Sequence, residues 1–432
     1  MLDILHTWNR WGKNRLDSGI LRQMTARIFP YLHTSEILVL VGPRRSGKST
    51  ILYQLMDALE KEGIPQQAML HINFEEPKLI PFLTLSGIDA LYETYREHVF
   101  PEGKAFLFLD EIQNVPEWER WLRARSQTED VKIFVTGSSA KLMSREIATV
   151  LTGRHFSFEI TPLNFAEYLA FQQISPPEQR MPVNASAPIR HALHAYQQWG
   201  GFPAVVLADT PSHKQDILKT YFDDILYKDI VLRHNIRDPI LLRNIAVHLL
   251  TQTGTLISFQ RISQIFQISS DAATSYCSYL QEAFVIQFLS FFSLKAAIRQ
   301  RRPQKVHALD LGLRNVVSMA HSADDGHLTE SLVYHCLRRR FGEDLFYFSG
   351  KKEIDFVVRE GNMITQIWQV VTGKLEDPKV LKREVEAIEE AKTIFPKAES
   401  FLITKTLPEA KLAMPCKVIP LWLLLIEESK NF

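Results

Sequence analysis

The chain has 432 residues, of which 46% are hydrophobic and 23% charged, and its formal net charge is +1. These values exclude a disordered, a collagen-like or a polycationic chain, so any nucleic-acid contact must come from a local basic patch. At roughly 150 residues per domain, the length predicts about three domains.

Residues 1–35 read as a helical lead-in. Arg10, Lys13 and Arg15 follow too soon for the apolar stretch of a signal peptide, so the expectation is a soluble cytoplasmic chain. Residues 37–41 form a continuous apolar run ending in glycine, which suits a strand buried in a parallel sheet. Gly42-Pro43-Arg44-Arg45-Ser46-Gly47-Lys48-Ser49 then meets the spacing GxxxxGK[ST] in full, and 50–62 reads as a helix. Glycines at both ends let the backbone wrap closely round phosphates, whose charge the loop N–H groups and the helix N-terminus face. Gly42, Arg44, Arg45, Ser46, Gly47, Lys48, Ser49 and Thr50 are therefore the candidate ATP-binding residues. Lys48 would reach the β/γ-phosphates and the Ser49 hydroxyl would ligate Mg²⁺.

Further strands are predicted at 69–74, 106–109 and 131–135, with helical patterns between them, so this part reads as a parallel α/β sheet covered on both faces. Phe106-Leu107-Phe108-Leu109-Asp110-Glu111 is an apolar run closed by two acids. Asp110 is expected on a strand next to the P-loop strand, holding Mg²⁺ largely through water, with Glu111 as general base. The strand at 131–135 leads into Thr136-Gly137-Ser138-Ser139, where Ser138 or Thr136 could contact the γ-phosphate or serve only as a helix cap. Transition-state charge also calls for an arginine. Arg154 is the first candidate and Arg145 the second, against a solvated surface role for either.

The segment 174–188 is rich in Pro, Ser and Gln and reads as a loop; helices return from 189 to 247, broken at Gly200-Gly201-Phe202-Pro203. Residues 259–266 and 271–284 read as two helices joined by a turn, followed by a β-hairpin with strands at 286–292 and 306–309. Between those strands lie Lys295, Arg299, Arg301, Arg302 and Lys305, with no acid among them. Helix-turn-helix followed by a basic hairpin is how a winged helix meets DNA, the wing neutralising phosphates. The alternative is a docking module whose charges are merely solvated. The helix residues Ser269, Ser270, Thr274 and Ser275 are not base readers of the arginine kind, so binding would carry little sequence preference.

From 325 onward the predicted order is helix, three strands, helix, strand. Glu330 falls on the first helix, Glu353 and Asp355 share one face of a strand, and Gln369 and Val371 share a face of the next. This order resembles the PD-(D/E)xK nuclease core, which implies a second metal site at Glu330, Asp355 and Gln369. The second acid of that pattern is Gln369 here and its lysine is Val371, with Lys351, Lys352 or Lys374 as substitutes, so cleavage is not the expectation. The cysteines Cys277, Cys336 and Cys416 form no CxxC pair, which argues against zinc or a disulfide framework. The apolar run 421–426 is too short to span a bilayer.

Taken together these motifs resemble the bacterial and archaeal AAA-type ATPases that carry the C-terminal domain of unknown function 4143. Gly42 to Ser49, Asp110-Glu111-Ile112-Gln113, Thr136-Gly137-Ser138-Ser139, Gly153-Arg154, Pro162-Leu163 with Glu167, Gly200 to Pro203, Tyr227-Lys228-Asp229-Ile230 and Glu353 to Val358 carry the likeness. Gly-Phe-Pro also resembles the GxP element of signal-transduction ATPases with numerous domains. The resemblance implies a P-loop core (36–173), a helical lid (174–236), a winged-helix segment (237–320) and a nuclease-like domain (321–432). The expectation is an ATPase with ATP and Mg²⁺ that forms a homo-oligomeric ring, a hexamer being the candidate size, and acts on duplex or branched DNA. An ATP-dependent oligomerising switch and an ATP-gated nuclease stay open as alternatives.

Overall fold

The computed structural model describes residues 1–12, 16–143, 149, 151, 153–176, 186–318, 325–371, 373, 375, 377–405 and 414–428. The chain divides into two compact units, Met1–Pro162 and Leu163–Phe432. Arg145, Lys374 and most of the loop 174–188 lie outside the described residues.

Unit one is a five-stranded parallel sheet of β1 (Ile37–Val41), β2 (Met69–Asn73), β3 (Ala105–Asp110), β4 (Val131–Gly137) and β5 (His155–Glu159), in the order β2-β3-β4-β1-β5. Every residue of β1 and β3 is buried, as the uninterrupted apolar runs demand. The helix Lys48–Lys61 lays Ile51, Leu52, Leu55, Met56 and Leu59 on one face of the sheet, against Leu38, Leu40, Phe106, Phe108 and Phe134. Their spacing is one helical stripe, and burying five such side chains contributes roughly 10 kcal/mol before entropy is subtracted. On the opposite face the helix Trp118–Thr128 packs on β4. One expectation is corrected: β3 is not beside β1, because β4 pairs with both. The local run of apolar residues carries no record of pairing order, so the intervening strand was invisible in it.

Unit two holds two further sheets. β6 (Thr255–Ile257), β7 (Ile286–Leu289) and β8 (Gln304–Ala308) form an antiparallel sheet with β8 in the centre. The helices Phe259–Phe266 and Ser270–Glu282 fall between β6 and β7 and share a core with the sheet through Ile262, Cys277, Leu280, Ile286 and Val306. The expected hairpin is modified: a short helix, Ala296–Arg301, replaces a simple turn between β7 and β8.

The C-terminal sheet runs β13-β12-β11-β10-β9 and is built from β9 (Leu345–Ser349), β10 (Glu353–Glu360), β11 (Met363–Val371), β12 (Glu399–Thr404) and β13 (Lys417–Pro420). The first three strands are antiparallel and the last two join in parallel. Along β10, Phe356 and Val358 pack with Val333 and Leu337 of the helix Asp325–Phe341, while Val357 packs with Ala387 and Ala391 of the helix Pro378–Ile394. That alternation is the pleat of a strand buried on both sides. The apolar run near the end is the helix Leu421–Glu427, which completes the same core. Among the described residues no helix is long and apolar enough to cross a membrane.

Candidate functional site

The P-loop follows β1 directly. A Cβ on Gly42 would lie 2.1 Å from the Ile160 carbonyl oxygen, so only glycine lets the chain leave the strand here. Gly47 has φ +98° and opens the helix Lys48–Lys61, whose first turn has no side-chain cap. The N–H groups of that turn therefore face the loop interior, as an anion site requires. The Ser46 hydroxyl is buried and lacks a hydrogen-bond partner among the described residues. Arg44 pairs with Glu75, while Arg45 is exposed with φ +66°. Thr50 lies on the first turn, half-buried.

A residue outside the motif braces the loop from behind. The buried Arg22 guanidinium donates to the Ser46 carbonyl (2.6 Å) and to the Thr161 carbonyl (3.0 Å). In a trans peptide the C=O and the next N–H point in opposite directions, so holding the Ser46 carbonyl outward aims the Gly47 N–H the other way. Gln54 ties the same N-terminal segment down, its amide donating to the carbonyls of Ser18 and Ile20. Arg22 lies 20 residues before the motif (42 − 22) with no local pattern to mark it.

Lys48 is buried, and its ammonium donates to the carbonyls of Gly42 and Pro43 (3.1 Å each) and meets Glu111 Oε1 at 3.2 Å. Ser49 hydrogen-bonds Asp110. Thr136, at the end of the intervening β4, donates to Asp110 Oδ1, and its hydroxyl accepts the Glu111 N–H at 2.9 Å. β4 thus fixes both acids at once. Glu111 takes φ +55°, a strained conformation for a residue with a side chain. Its Oε2 accepts from Gln113 Nε2, which also lies 3.4 Å from Ser138 Oγ. A Cβ on Gly137 would collide with the Gln113 amide oxygen at 2.5 Å, so this glycine makes the room.

Burial, and then the Glu111 charge, push the Asp110 carboxyl up to about 6 against the pull of Ser49, Thr136 and Lys48. Burial also works to raise Glu111, but Lys48, Gln113 and Arg44 outweigh it and hold that carboxyl below its ordinary value. The set suits a magnesium nucleotide: an unsatisfied hydroxyl, an uncapped helix end and a lysine surround the phosphate space, and Ser49 with Asp110 offers the oxygen ligands of a hard cation.

The other expected residues are scattered. Arg154 is exposed, just before β5, and only its backbone takes part in the sheet, its carbonyl accepting from Ile37 N–H. Lys295, Arg301 and Arg302 are exposed and Arg299 is half-buried, all on or beside the helix Ala296–Arg301, with Arg302 lying 5.0 Å from the Phe291 ring. Lys305 corrects the expectation. It is only 2% exposed and forms ion pairs with Glu330, Glu353 and Asp355, because it lies on the central strand β8 with its side chain turned into the protein. Glu330, Asp355 and Gln369 do come together, along a cavity of about 420 Å³. Among the described residues, however, no group of three or more His, Cys, Asp or Glu side chains is arranged to hold a metal.

A family model described as "AAA domain" matches residues 34–169. With the strand, loop and helix geometry above, this defines unit one as an AAA-type P-loop ATPase fold. A second model, "Domain of unknown function (DUF8612)", covers residues 190–324, where the resemblance to domain 4143 had been expected. The uncharacterized protein MJ1544 of Methanocaldococcus jannaschii is 33% identical over 384 residues, covering 86% of this chain and 81% of that protein. The chain belongs to the family of MJ1544. An uncharacterized protein of Haemophilus influenzae is 28% identical over 348 residues, 79% of this chain and 84% of that one. Among solved structures, the Aeropyrum pernix Orc1 protein in complex with DNA matches over 70% of this chain and 93% of its own, at 13% identity and a TM-score of 0.34.

Proposed function

We propose that the chain binds ATP with Mg²⁺ and hydrolyses it, and that turnover acts on DNA. The observation that carries the first part is the junction of Lys48, Ser49, Asp110, Glu111 and Thr136 around one uncapped helix end. Lys48 and the loop N–H groups hold the β/γ-phosphates. Ser49 and Asp110 would hold Mg²⁺, which neutralises phosphate charge when bound. Glu111 accepts a proton from the attacking water, and its depressed carboxyl is ionised and ready to do so at neutral pH. Ser138, buried beside Gln113, would orient that water. Arg154, exposed before β5, is the candidate to complete the site of a neighbouring subunit in a homo-oligomeric ring, with a hexamer as the size to test.

Support for DNA comes from the helix pair and strands of 255–308, whose order is that of a winged helix, and from the four cations outside β8. Residues 293–303 contain no acid, and Leu294 and Ile298 stand exposed among the cations. Such a strip neutralises phosphates without reading bases. The nuclease reading is the weaker one, since the lysine among the acids is buried beneath them.

The test is ATPase rate alone and with single-stranded, duplex and branched DNA. Lys48→Ala should abolish nucleotide binding, and Glu111→Gln should keep binding while lowering turnover by about 10²-fold or more. Turnover unaffected by Glu111→Gln would refute the assignment of the base. A rate that no DNA alters, with no DNA bound at low salt, would leave an ATP-dependent assembly switch.

A further inference from the structure

The PD-(D/E)xK likeness implies a divalent cation among Glu330, Asp355 and Gln369, and the residues do not fit one. Lys305 Nζ lies 2.7 Å from Glu330 Oε1, 2.6 Å from Glu353 Oε1 and 3.2 Å from Asp355 Oδ1. The ammonium donates hydrogen bonds to Glu330 and Asp355, and the Glu353 carboxylate adds a third ion pair. The second Asp355 oxygen and the Gln369 amide are engaged as well. Asp355 Oδ2 accepts the Val370 N–H at 2.9 Å. The Gln369 amide oxygen accepts the Asp355 N–H at 3.3 Å, and its nitrogen donates to Glu384 Oε2 at 3.0 Å. Glu384 is itself buried and paired with Arg383.

We infer that Lys305 takes the place of the cation in this cluster, so that it is a metal-free ion-pair hub fastening β8 to the C-terminal sheet. The three carboxylates come from two elements, Glu330 from the helix Asp325–Phe341 and Glu353 and Asp355 from β10. The lysine comes from a third, the central strand of the small sheet. A neighbouring contact follows the same seam: Phe291, just after β7, bridges Tyr347 of β9, and the Tyr347 hydroxyl donates to the Pro303 carbonyl. Burial alone would lower the Lys305 ammonium, but Asp355, Glu330 and Glu353 more than reverse this, so the charge is retained. A divalent ion would have to displace a buried ammonium already paired with three carboxylates to enter. The basic strip outside β8 is thereby carried on a sheet locked to the C-terminal fold.

The inference is independent of the ATPase reading and is tested on the full chain without nucleotide. Mn²⁺ is titrated and the free ion read by electron paramagnetic resonance, for the wild type and for Asp355→Asn. The expected result is that both bind the same amount of Mn²⁺, since none of it belongs to the cluster. Lys305→Met should lower the unfolding midpoint by on the order of 10 °C, because the buried Glu330 and the largely buried Asp355 lose their partner. Mn²⁺ should restore part of that loss in this variant and none in the wild type. Mn²⁺ bound by the wild type and lost in Asp355→Asn would overturn the inference, as would a Lys305→Met chain of unchanged midpoint. Should Lys305→Met fail to fold, the wild-type titration decides alone.

Discussion

Thr136→Val removes one hydroxyl and keeps the shape of the side chain. In the wild type that hydroxyl donates to Asp110 and accepts from the Glu111 N–H, and Thr136 has no exposed surface. Valine leaves a buried carboxylate oxygen without its donor and a buried N–H without its acceptor. Each such loss costs about 1–3 kcal/mol, the charged partner at the upper end, so about 3–4 kcal/mol of stability should go. For a unit of this size that is on the order of 10 °C in the unfolding midpoint. The same change removes a hydrogen bond that holds the Asp110 carboxyl down, so that it moves above its present value of about 6 and Mg²⁺-dependent nucleotide binding weakens at pH 7. Scanning calorimetry and a nucleotide titration with and without Mg²⁺ read the two effects. Thr136→Ser is the control: it keeps the hydroxyl and should cost only about 0.5–1.5 kcal/mol for the lost methyl. A Thr136→Val chain within about 0.5 kcal/mol of the wild type, with Mg²⁺-dependent binding unchanged, would refute the reasoning.

Arg22→Met should free the Ser46 carbonyl and weaken ATP binding about 10-fold, a cost of about 1.4 kcal/mol, in a fluorescent-nucleotide titration; an unchanged Kd would show that the loop holds its shape unaided. If Lys295, Arg299, Arg301 and Arg302 each meet a phosphate, the logarithmic salt slope of duplex binding should change by about 0.9 for every one neutralised, and a slope indifferent to Arg301→Gln and Arg302→Gln would remove the strip from the interface. Burial depresses the His71 imidazole to about 4, so the native chain refuses a proton that the unfolded chain accepts near pH 6.5. The stability from this site is complete above pH 6.5 and falls as pH drops toward 4, by about 2 kcal/mol at pH 5. His71→Gln should flatten that part of the acid limb in urea titrations, and an undiminished slope would count against it.

The strands that carry the nucleotide site were legible because parallel strands buried on both faces are nearly uniform in apolar character, and because the P-loop is a local pattern. β5 was missed for the opposite reason. It lies at the sheet edge, with Phe156 and Ser157 exposed, and its five residues, His-Phe-Ser-Phe-Glu, alternate over too short a span and lack the continuous apolar run that marks β1 and β3. The pairing of β4 with both β1 and β3 depends on distant segments and leaves no trace in either. Gln113 stood in plain view two residues after Glu111, yet its role depends on the space that Gly137 leaves. Lys305 is the clearest failure of linear reading. It follows the half-buried Arg299 and the exposed Arg301 and Arg302 by six, four and three positions, and only the pleat of β8 turns it inward. The acids it meets lie 25 to 50 positions away.

The contact between Lys48 and Glu111 sets a buried ammonium against a buried carboxylate beside the loop. The lysine that should greet the phosphates and the carboxylate that should receive a proton satisfy one another, with Gln113 holding the second oxygen. On the proposed reading, an arriving triphosphate would enter by exchange, one anion replacing another on the same ammonium. The carboxylate it would displace is the proposed base. On that reading, occupancy and readiness for attack would be two results of one movement.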